Sequence, residues 1–245
     1  MSHIDYYYVQ PDQVAKDRLF ITDDELHHMT RVRRKQIGDS FCAVDGLGTM
    51  YTCQLRKIET HSAEASILAK QKRFGEPDIE LTIAQALPKG NRFDIVIEKG
   101  TEIGVTHFRL VRTTRSIAVS KSKIERWRRI SRAAMKQCGR SVWPAVYDEL
   151  EFNDALVENN TDDLKIIAHE GEHNNLLIDY LRAQEFQKTN LSAVVFIGPE
   201  GGFTEEEIET AKRNGCETVS LGPRRLRSET AAIVAAALCI SHFTS

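Results

Sequence analysis

The sequence has few cysteines, and none of them are closely paired. Its five cysteines are widely spaced and odd in number, and they form no Cys-x-x-Cys motif. This pattern argues against a disulfide framework or a cysteine-ligated zinc site, and it is typical of a reducing compartment. We therefore expect a cytoplasmic protein without a bound metal.

Long hydrophobic runs are also absent. No apolar stretch approaches the roughly 18 residues that a membrane-spanning helix needs, and residues 1–5 do not begin a secretion signal. The 245 residues are 41% hydrophobic and 28% charged, which is ordinary for a globular protein. We expect no membrane association and a chain long enough for two domains.

The net charge of −2 hides an uneven distribution of charge along the chain. Within residues 109–140 there are 11 lysines and arginines against one acidic residue, Glu125. Residues 151–245 carry 8 basic and 16 acidic residues. The basic run predicts a surface that binds a polyanion. The alternative interpretation is a solvated helix face.

The first seventy residues have the pattern of a small β-barrel with one helix. Thr22 and Glu25 form a capping-box pattern at the start of that helix, and a hairpin turn is predicted at residues 45–48. The predicted strands are residues 6–9, 18–21, 40–44, 50–58 and 63–69.

Beyond residue 74, predicted strands and helices alternate, which indicates an α/β domain with a mostly parallel sheet. The predicted strands are residues 80–87, 108–112, 164–168, 193–197 and 218–221, and the predicted helices are 92–103, 121–137, 176–183, 205–213 and 229–243. The last helix is apolar on all sides, so we expect it to lie in the core or against a partner subunit.

Two Gly-Pro turns follow two of these strands. They are Gly198-Pro199-Glu200-Gly201-Gly202 and Gly222-Pro223-Arg224-Arg225-Leu226-Arg227. Open α/β sheets bind ligands at the carboxyl ends of their strands, so the turns predict a small-molecule pocket. Arginines in the second turn predict an anionic partner beside that pocket.

The first turn does not have the features of a phosphate-binding loop. It lacks both the Gly-x-Gly-x-x-Gly spacing and a Gly-Lys-Ser/Thr ending. Thr204 and Glu207 predict a capping box, and three glutamates at 205–207 already occupy the positive end of the helix dipole. We therefore expect a ligand without phosphate. The alternative interpretation is a tight turn with a purely structural role.

Histidine motifs suggest two metal sites, and we favour neither. His169-Glu170-Gly171-Glu172-His173 has the spacing of a zinc-protease helix, but it follows a predicted strand and contains glycine. We predict a loop at the carboxyl end of a third strand. His27 and His28 are adjacent on a helix and point apart. With Arg31, Arg33 and Arg34 they instead suggest a contact surface for nucleic acid.

The end of the second turn holds the candidate catalytic residues. Ser228 is a predicted N-cap of the last helix. Arg227 has a planar guanidinium that suits a carbonyl or phosphate oxygen, which indicates contact with a substrate. The structural alternative is an ion pair between Arg227 and Glu229.

Together these motifs resemble the RsmE family of SPOUT-class methyltransferases, which methylate N3 of a uridine in 16S ribosomal RNA with S-adenosylmethionine. The resemblance covers the whole chain. It rests most strongly on the two Gly-Pro segments, and it extends to His27-His28, to residues 99–105 and to Gln137-Cys138-Gly139-Arg140. Two positions depart from the family pattern: Lys136 replaces a frequently acidic residue, and Arg33 replaces a frequently apolar one.

The resemblance implies a PUA-like RNA-binding barrel over residues 1–73 and a SPOUT methyltransferase domain with a C-terminal trefoil knot over residues 74–245. It also implies a homodimer formed through the C-terminal domain, with the small ribosomal subunit or its RNA as partner. The residues expected to hold S-adenosylmethionine are His169, Gly198, Pro199, Gly201, Leu221, Gly222, Leu226 and Thr230.

The chemistry implied by the resemblance assigns roles to two further groups of residues. Arg227 would stabilise negative charge on the uracil ring, and Glu229 or a water molecule would accept the N3 proton. The residues expected to contact RNA are Arg31, Arg34, Arg128, Arg129 and Arg140. Two alternatives remain open: methylation of a ribose hydroxyl or another base in tRNA or rRNA, and a non-catalytic RNA-binding protein of ribosome assembly.

Overall fold

The computed structural model describes residues 5–116, 121–159, 161–184 and 191–244. The chain divides into two compact units. The first contains the residues up to Glu76 together with Met135–Trp143, and the second contains Pro77–Ala134 and the residues from Pro144 onward. The predicted division at residues 73 and 74 did not anticipate that Met135–Trp143 belongs with the first unit.

The first unit is built on a five-stranded sheet with the order β1-β3-β4-β5-β2. Strands β1 and β3 are parallel, and the other neighbours are antiparallel. All five strands lie where the sequence predicts them. Their bounds are β1 Tyr6–Tyr8, β2 Arg18–Thr22, β3 Ser40–Val44, β4 Thr49–Ile58 and β5 Ser62–Lys72.

The hairpin turn between β3 and β4 is confirmed. The Asp45 carboxylate oxygen Oδ1 accepts hydrogen bonds from the backbone N–H groups of Leu47 (2.8 Å) and Thr49 (2.9 Å). Gly46 and Gly48 have φ values of 71° and 101°, which non-glycine residues rarely adopt. The turn chemistry in the sequence was therefore sufficient to place the hairpin.

The helix of the first unit lies at the predicted position, but its capping box does not form. Helix α1 covers Asp23–His27 and continues as a π-helical turn over His28–Val32. The Thr22 hydroxyl donates to the Asp23 carboxylate at 2.8 Å. Glu25 forms an ion pair with Lys136. Because both side chains have other partners, the predicted Thr22–Glu25 capping box is wrong.

The second unit contains a six-stranded sheet in which every neighbouring pair is parallel. The order is β11-β9-β10-β6-β7-β8. This sheet, with the curled sheet of the first unit, confirms the predicted fold class. The trefoil knot stays a prediction. The strands are β6 Ile79–Ala86, β7 His107–Arg112, β8 Ala145–Glu151, β9 Leu164–Ala168, β10 Leu191–Ile197 and β11 Glu217–Val219.

Six helices accompany this sheet within the described residues. They are α2 Arg92–Ile103, α3 Lys121–Cys138, α4 Phe152–Glu158, α5 Leu177–Arg182, α6 Glu205–Arg213 and α7 Ser228–Phe243. Five of them were predicted, whereas α4 and the edge strand β8 were not. Within the described parts of the chain, no helix has the length and apolar character needed to cross a membrane.

The apolar helix α7 lies in the core of the second unit. It packs against α2, α5, β6 and β10, and Ala232, Ala235 and Cys239 are fully buried there. Small side chains allow a helix to approach its neighbours closely. The first turn of α7 therefore has a fixed position relative to the carboxyl ends of β6 and β10.

Candidate functional site: a cavity at the carboxyl edge of the parallel sheet

The cavity lies where three loops leave neighbouring parallel strands. The loops follow β10, β9 and β11, which are adjacent in the sheet. Their residues enclose a volume of about 620 Å³. This is large enough for a ligand of a few hundred daltons. The Gly-Pro turns therefore meet as the strand pattern predicts, and the third loop joins them.

The first turn leads into a fully capped helix. The Thr204 hydroxyl accepts from the backbone N–H of Glu207 at 3.2 Å, and the Glu207 carboxylate accepts from the backbone N–H of Thr204 at 2.8 Å. Glu207 also accepts from the backbone N–H of Thr114 at 2.8 Å. The predicted capping box is confirmed. Because a buried carboxylate occupies this helix start, an added phosphate would be repelled there.

The second turn is joined to the first by a serine. Ser228 is buried, and its hydroxyl donates to the carbonyl oxygen of Gly198 at 2.5 Å. The same hydroxyl accepts from the side-chain amide of Gln85 at 2.6 Å. Helix α7 begins at Ser228, so the N-cap position belongs to Arg227. The prediction that Ser228 caps the helix is wrong, because its hydroxyl bonds the opposite wall of the cavity.

The loop after β9 completes the wall. His169 to His173 are not helical, which confirms the predicted loop, and His169, Glu170 and His173 line the cavity. The Glu170 carboxylate lies 3.0 Å from the guanidinium Nε of Arg225 in the second turn. Both side chains are largely exposed, so this ion pair contributes little to stability. It does connect two of the three loops.

The two candidate catalytic residues have different surroundings. Arg227 is exposed and lines the cavity. Glu229 is 9% exposed and is not among the lining residues. Its carboxylate oxygen Oε1 lies 3.7 Å from the guanidinium Nε of Arg92. Glu229 therefore lies beside Arg92, and the alternative ion pair with Arg227 is not among those of the described residues. The role of Glu229 as proton acceptor stays a prediction.

Two arginines that the sequence analysis did not select also line the cavity. Arg92, the first residue of α2, lies 2.8 Å from the Glu200 carboxylate through its Nη1. Arg115 donates to the carbonyl oxygen of Gly201 at 2.5 Å. Arg92 and Glu200 are 108 positions apart in the sequence, and Arg115 and Gly201 are 86 positions apart. No local sequence signal connects them.

Seven of the eight residues expected to hold a ligand line the cavity. They are His169, Gly198, Pro199, Gly201, Leu221, Gly222 and Leu226. Thr230 is exposed on α7 and is not a lining residue. Thr230 is close to the second turn in the sequence, but it lies on the first turn of the helix and outside the lining of the cavity.

Gly222 has the most demanding backbone conformation in the second turn. Its φ is +114°, and a Cβ added there would meet no atom within 4 Å. Glycine adopts this conformation at no steric cost, whereas other residues are strained. The turn therefore presents bare backbone to the cavity, as close approach of a ligand requires.

The arginines expected to contact RNA fall into three groups. Arg31, Arg34 and Arg129 are exposed. Arg128 is half-buried and forms ion pairs with Glu125 and Asp148. Arg140 is 3% exposed and bonds the buried carboxylate of Glu76 at 2.6 Å. The burial of Arg140 and its bond to Glu76 argue against the expected RNA contact at this residue.

About half of the cations in residues 109–140 form ion pairs with carboxylates within the described residues. The partners belong chiefly to β8, α4 and α2, whose carboxylates were counted elsewhere in the sequence. A polyanion would therefore meet much less net charge than the local count of 11 against one suggests. Among the described residues, these ion pairs involve Arg109, Arg112, Arg126, Arg128, Lys136 and Arg140.

The two departures from the family pattern have partners in the first unit. The guanidinium Nε of Arg33 lies 2.9 Å from the Asp5 carboxylate, and Lys136 pairs with Glu25. Each added positive charge thus meets a carboxylate of the same unit. These pairs give both departures a structural partner.

Buried thiols offer no nucleophile for covalent chemistry. Burial raises the pKa of Cys53 and Cys239 to about 12 and that of Cys216 to about 11. Each of these thiols therefore stays protonated near neutral pH, and a protonated thiol is a poor nucleophile. The chemistry of the cavity belongs to its arginines, carboxylates, histidines and backbone groups.

A family model described as an RNA methyltransferase domain matches residues 75–240, and one described as an RNA methyltransferase PUA domain matches residues 21–68. The chain belongs to the RNA methyltransferase family. The first match contains all three loops of the cavity. In this RNA methyltransferase, the cavity is therefore the candidate active site.

Curated relatives share most of the length of this RNA methyltransferase. The ribosomal RNA small subunit methyltransferase E of Synechocystis sp. is 35% identical over 234 residues, which cover 94% of this chain and 75% of the relative. The protein of the same name from Bacillus subtilis is 33% identical over 224 residues, which cover 88% of this chain and 86% of the relative. These relatives include both units of the chain.

Solved structures have the same architecture. Ribosomal RNA small subunit methyltransferase E from Neisseria gonorrhoeae, bound to S-adenosyl methionine, matches with a TM-score of 0.83 and 29% identity over 96% of both chains. A methyltransferase from Legionella pneumophila with bound SAM matches with a TM-score of 0.80 and 27% identity, also over 96% of both. The similarity therefore extends over nearly the whole length of these proteins.

Proposed function

We propose that this enzyme transfers a methyl group from S-adenosylmethionine to N3 of a uridine in 16S ribosomal RNA, in the cytoplasm. The observation that carries the proposal is the cavity formed by the two Gly-Pro turns in a chain of this family. The names of the relatives from Synechocystis and Bacillus support the ribosomal substrate. The two structures with bound cofactor support the methyl donor.

The residues of the cavity fit S-adenosylmethionine. The cofactor has no phosphate, and the capped start of α6 disfavours one. It carries a positive sulfonium, and the carboxylates of Glu170 and Glu200 lie in the wall. Gly222 leaves open space beside its backbone. Backbone groups of Gly198, Leu221 and Gly222 would hold the cofactor, which supplies an activated methyl group when bound.

Arg227 is the proposed electrostatic catalyst. Methylation of N3 requires loss of its proton, and the resulting negative charge spreads to O2 and O4 of the uracil ring. A guanidinium at the cavity surface can donate to such an oxygen as charge develops. Glu229 is buried and lies beside Arg92, so we propose that water, rather than Glu229, accepts the proton.

Access to N3 requires an unpaired base. This atom lies on the Watson–Crick edge, so the uridine must be single-stranded or flipped out at a cost of a few kcal/mol. Contacts between exposed arginines and phosphates would offset that cost. We propose Arg31, Arg34 and Arg129 for these contacts, with Arg128 contributing less because carboxylates already bind it.

The function is tested by nucleoside mass spectrometry. Ribosomal RNA from a strain that lacks the gene should lose N3-methyluridine, and the purified enzyme should restore it on free rRNA or on small subunits. Loss of a ribose-methylated nucleoside or another methylated base would favour a different target. An unchanged nucleoside profile, together with no cofactor binding at millimolar concentration, would favour the non-catalytic alternative.

Substitution of Gly222 by alanine should weaken cofactor binding. The backbone must keep φ near +114°, a conformation that strains alanine by about 1–3 kcal/mol, and the methyl group enters the cavity. We expect the Kd for S-adenosylmethionine to rise about tenfold in calorimetry. Gly38→Ala is the matched control, because Gly38 has φ +98° and equally open surroundings in the first unit. Equal affinities for the two variants would contradict the prediction.

Charge reversal at Arg129 should weaken RNA binding and reduce its salt dependence. Arg129 is exposed, so it is available for a phosphate contact. We expect the slope of log Kd against log salt to change by about one for Arg129→Glu. Arg182→Glu, an exposed arginine of α5, should leave the slope unchanged. If Arg129→Glu and the wild type have the same slope of log Kd against log salt, residues 109–140 are better interpreted as a solvated helix face.

We also propose a homodimer formed through the C-terminal domain. Ala231, Ile233, Val234 and Leu238 of α7 are only partly buried within one chain, although the helix is almost wholly apolar. A second copy would cover these side chains. Light scattering of the purified protein tests this, and a monomer at micromolar concentration would exclude it.

A further inference from the structure

Arg92 lies between the two walls of the cavity. Its Nη1 is 2.8 Å from the Glu200 carboxylate in the first Gly-Pro turn, and its Nε is 3.7 Å from the Glu229 carboxylate in the first turn of α7. Arg92 itself begins α2, a third element. One guanidinium therefore connects three parts of the site that are far apart in the sequence.

Glu200 is held by more than this ion pair. Its Oε1 also accepts a hydrogen bond from the backbone N–H of Lys89 at 3.0 Å. The carboxylate of the first turn is thus fixed to the segment that precedes α2. Movement of α2 at this end would move the first wall of the cavity with it.

Glu229 depends on Arg92 for its charge balance. The residue is 9% exposed, and its second carboxylate oxygen, Oε2, is buried without a hydrogen-bond partner among the described residues. A buried carboxylate is costly unless a cation lies nearby. Among the ion pairs of the described residues, Arg92 is the cation beside Glu229. Loss of Arg92 would leave this carboxylate uncompensated.

The position of Arg227 depends on the same contacts. Arg227 is the N-cap of α7, directly before Ser228 and Glu229. Ser228 fixes the helix start to Gly198, and Glu229 fixes it to Arg92. Because the backbone of Arg227 is held by the two residues that follow it, the direction of its guanidinium depends on both contacts.

We infer that Arg92 is a positioning residue for methyl transfer: by binding Glu200 and Glu229 together, it sets the separation of the two cavity walls and orients Arg227. The inference rests on the proposed function. In this inference Glu229 helps to position Arg227 through its contact with Arg92. Lysine cannot replace Arg92 fully, because a single ammonium lacks the planar fork that reaches two carboxylates.

The test separates cofactor binding from turnover in Arg92→Ala and Arg92→Lys. For Arg92→Ala we expect a rise of about tenfold in the Kd for S-adenosylmethionine in calorimetry, and a fall of about a hundredfold in single-turnover methylation. For Arg92→Lys we expect a Kd within about threefold of wild type and a fall of about tenfold in turnover. Guanidinium ion should partly restore Arg92→Ala and should not affect Arg92→Lys.

Two controls distinguish positioning from general destabilisation. Arg126→Ala removes another arginine that pairs with α2, at Asp94, outside the cavity lining, and it should leave the Kd for S-adenosylmethionine unchanged. Adding Glu229→Gln to Arg92→Ala should lower turnover no further, because both residues act through one contact. If Arg92→Ala does not fold, Arg92→Lys and its split between Kd and turnover decide the question.

The inference is overturned if Arg92→Ala keeps cofactor Kd and turnover within about twofold of the wild type. A fully additive double variant would also overturn it. Failure of the proposed function looks different, since then the wild type itself would not methylate uridine N3. In that case the calorimetric comparison of the Arg92 variants still tests whether Arg92 sets the cavity walls.

Discussion

Replacement of Arg227 by alanine should lower the rate of methyl transfer by about a hundredfold to a thousandfold, the effect of removing one donor that stabilises developing charge. Arg227 is exposed at the cavity surface, where it can reach a bound base. Affinity for S-adenosylmethionine should change by less than about threefold, because we propose that backbone groups of the turns carry most of that binding. Single-turnover methylation and calorimetry measure the two quantities.

Arg224→Ala provides the matched control for Arg227→Ala. Arg224 is an exposed arginine of the same turn and also lines the cavity, so it tests the local loss of positive charge. We expect a small effect on turnover. A comparable loss of cofactor affinity and turnover in Arg227→Ala would instead assign Arg227 to cofactor binding.

The largest effect on stability should come from Glu76→Ala. Glu76 is buried, and its carboxylate accepts from Arg140 at 2.6 Å and from the backbone N–H groups of Ser141 and Val142, both at 2.8 Å. Breaking a buried pair by removing one partner costs about 3–5 kcal/mol, because the other charge stays buried without compensation. Urea unfolding should detect a loss of this size.

An exposed pair supplies the comparison for Glu76. Arg18 and Glu64 form an ion pair at 3.3 Å in the same unit, with side chains 55% and 33% exposed. Glu64→Ala should lower the free energy of unfolding by less than about 1 kcal/mol. If Glu76→Ala has no larger effect than Glu64→Ala, the buried pair does not have the proposed role in stability.

The fold was predictable where local pattern and burial agree. The strands β9 and β10 consist mostly of buried apolar residues, and loops that line the cavity follow them directly. Strand β8 was missed because it lies at the sheet edge and reads Ala-Val-Tyr-Asp-Glu-Leu-Glu. Its acidic side chains resemble a loop in the sequence, yet they serve as partners for arginines of β7 and α3.

The site was predictable to the extent that parallel strands bring their carboxyl ends to one edge. That rule placed His169, Gly198 and Gly222 around one cavity. It could not identify Arg92 or Arg115, which reach the turns only through tertiary contacts. Nor could the rule identify Arg140 as buried, because its partner Glu76 is 64 positions away in the sequence.

The strand order has a consequence for synthesis of the protein. Strand β10 lies between β9 and β6, although it follows β6, β7 and β8 in the chain. A nascent chain that ends before Leu191 therefore has a β6 strand with one unpaired edge, and such edges attract other chains. Folding of this sheet must wait for distant segments, which slows it. We expect truncated products to aggregate, and the cavity to form only when nearly all of the chain has left the ribosome.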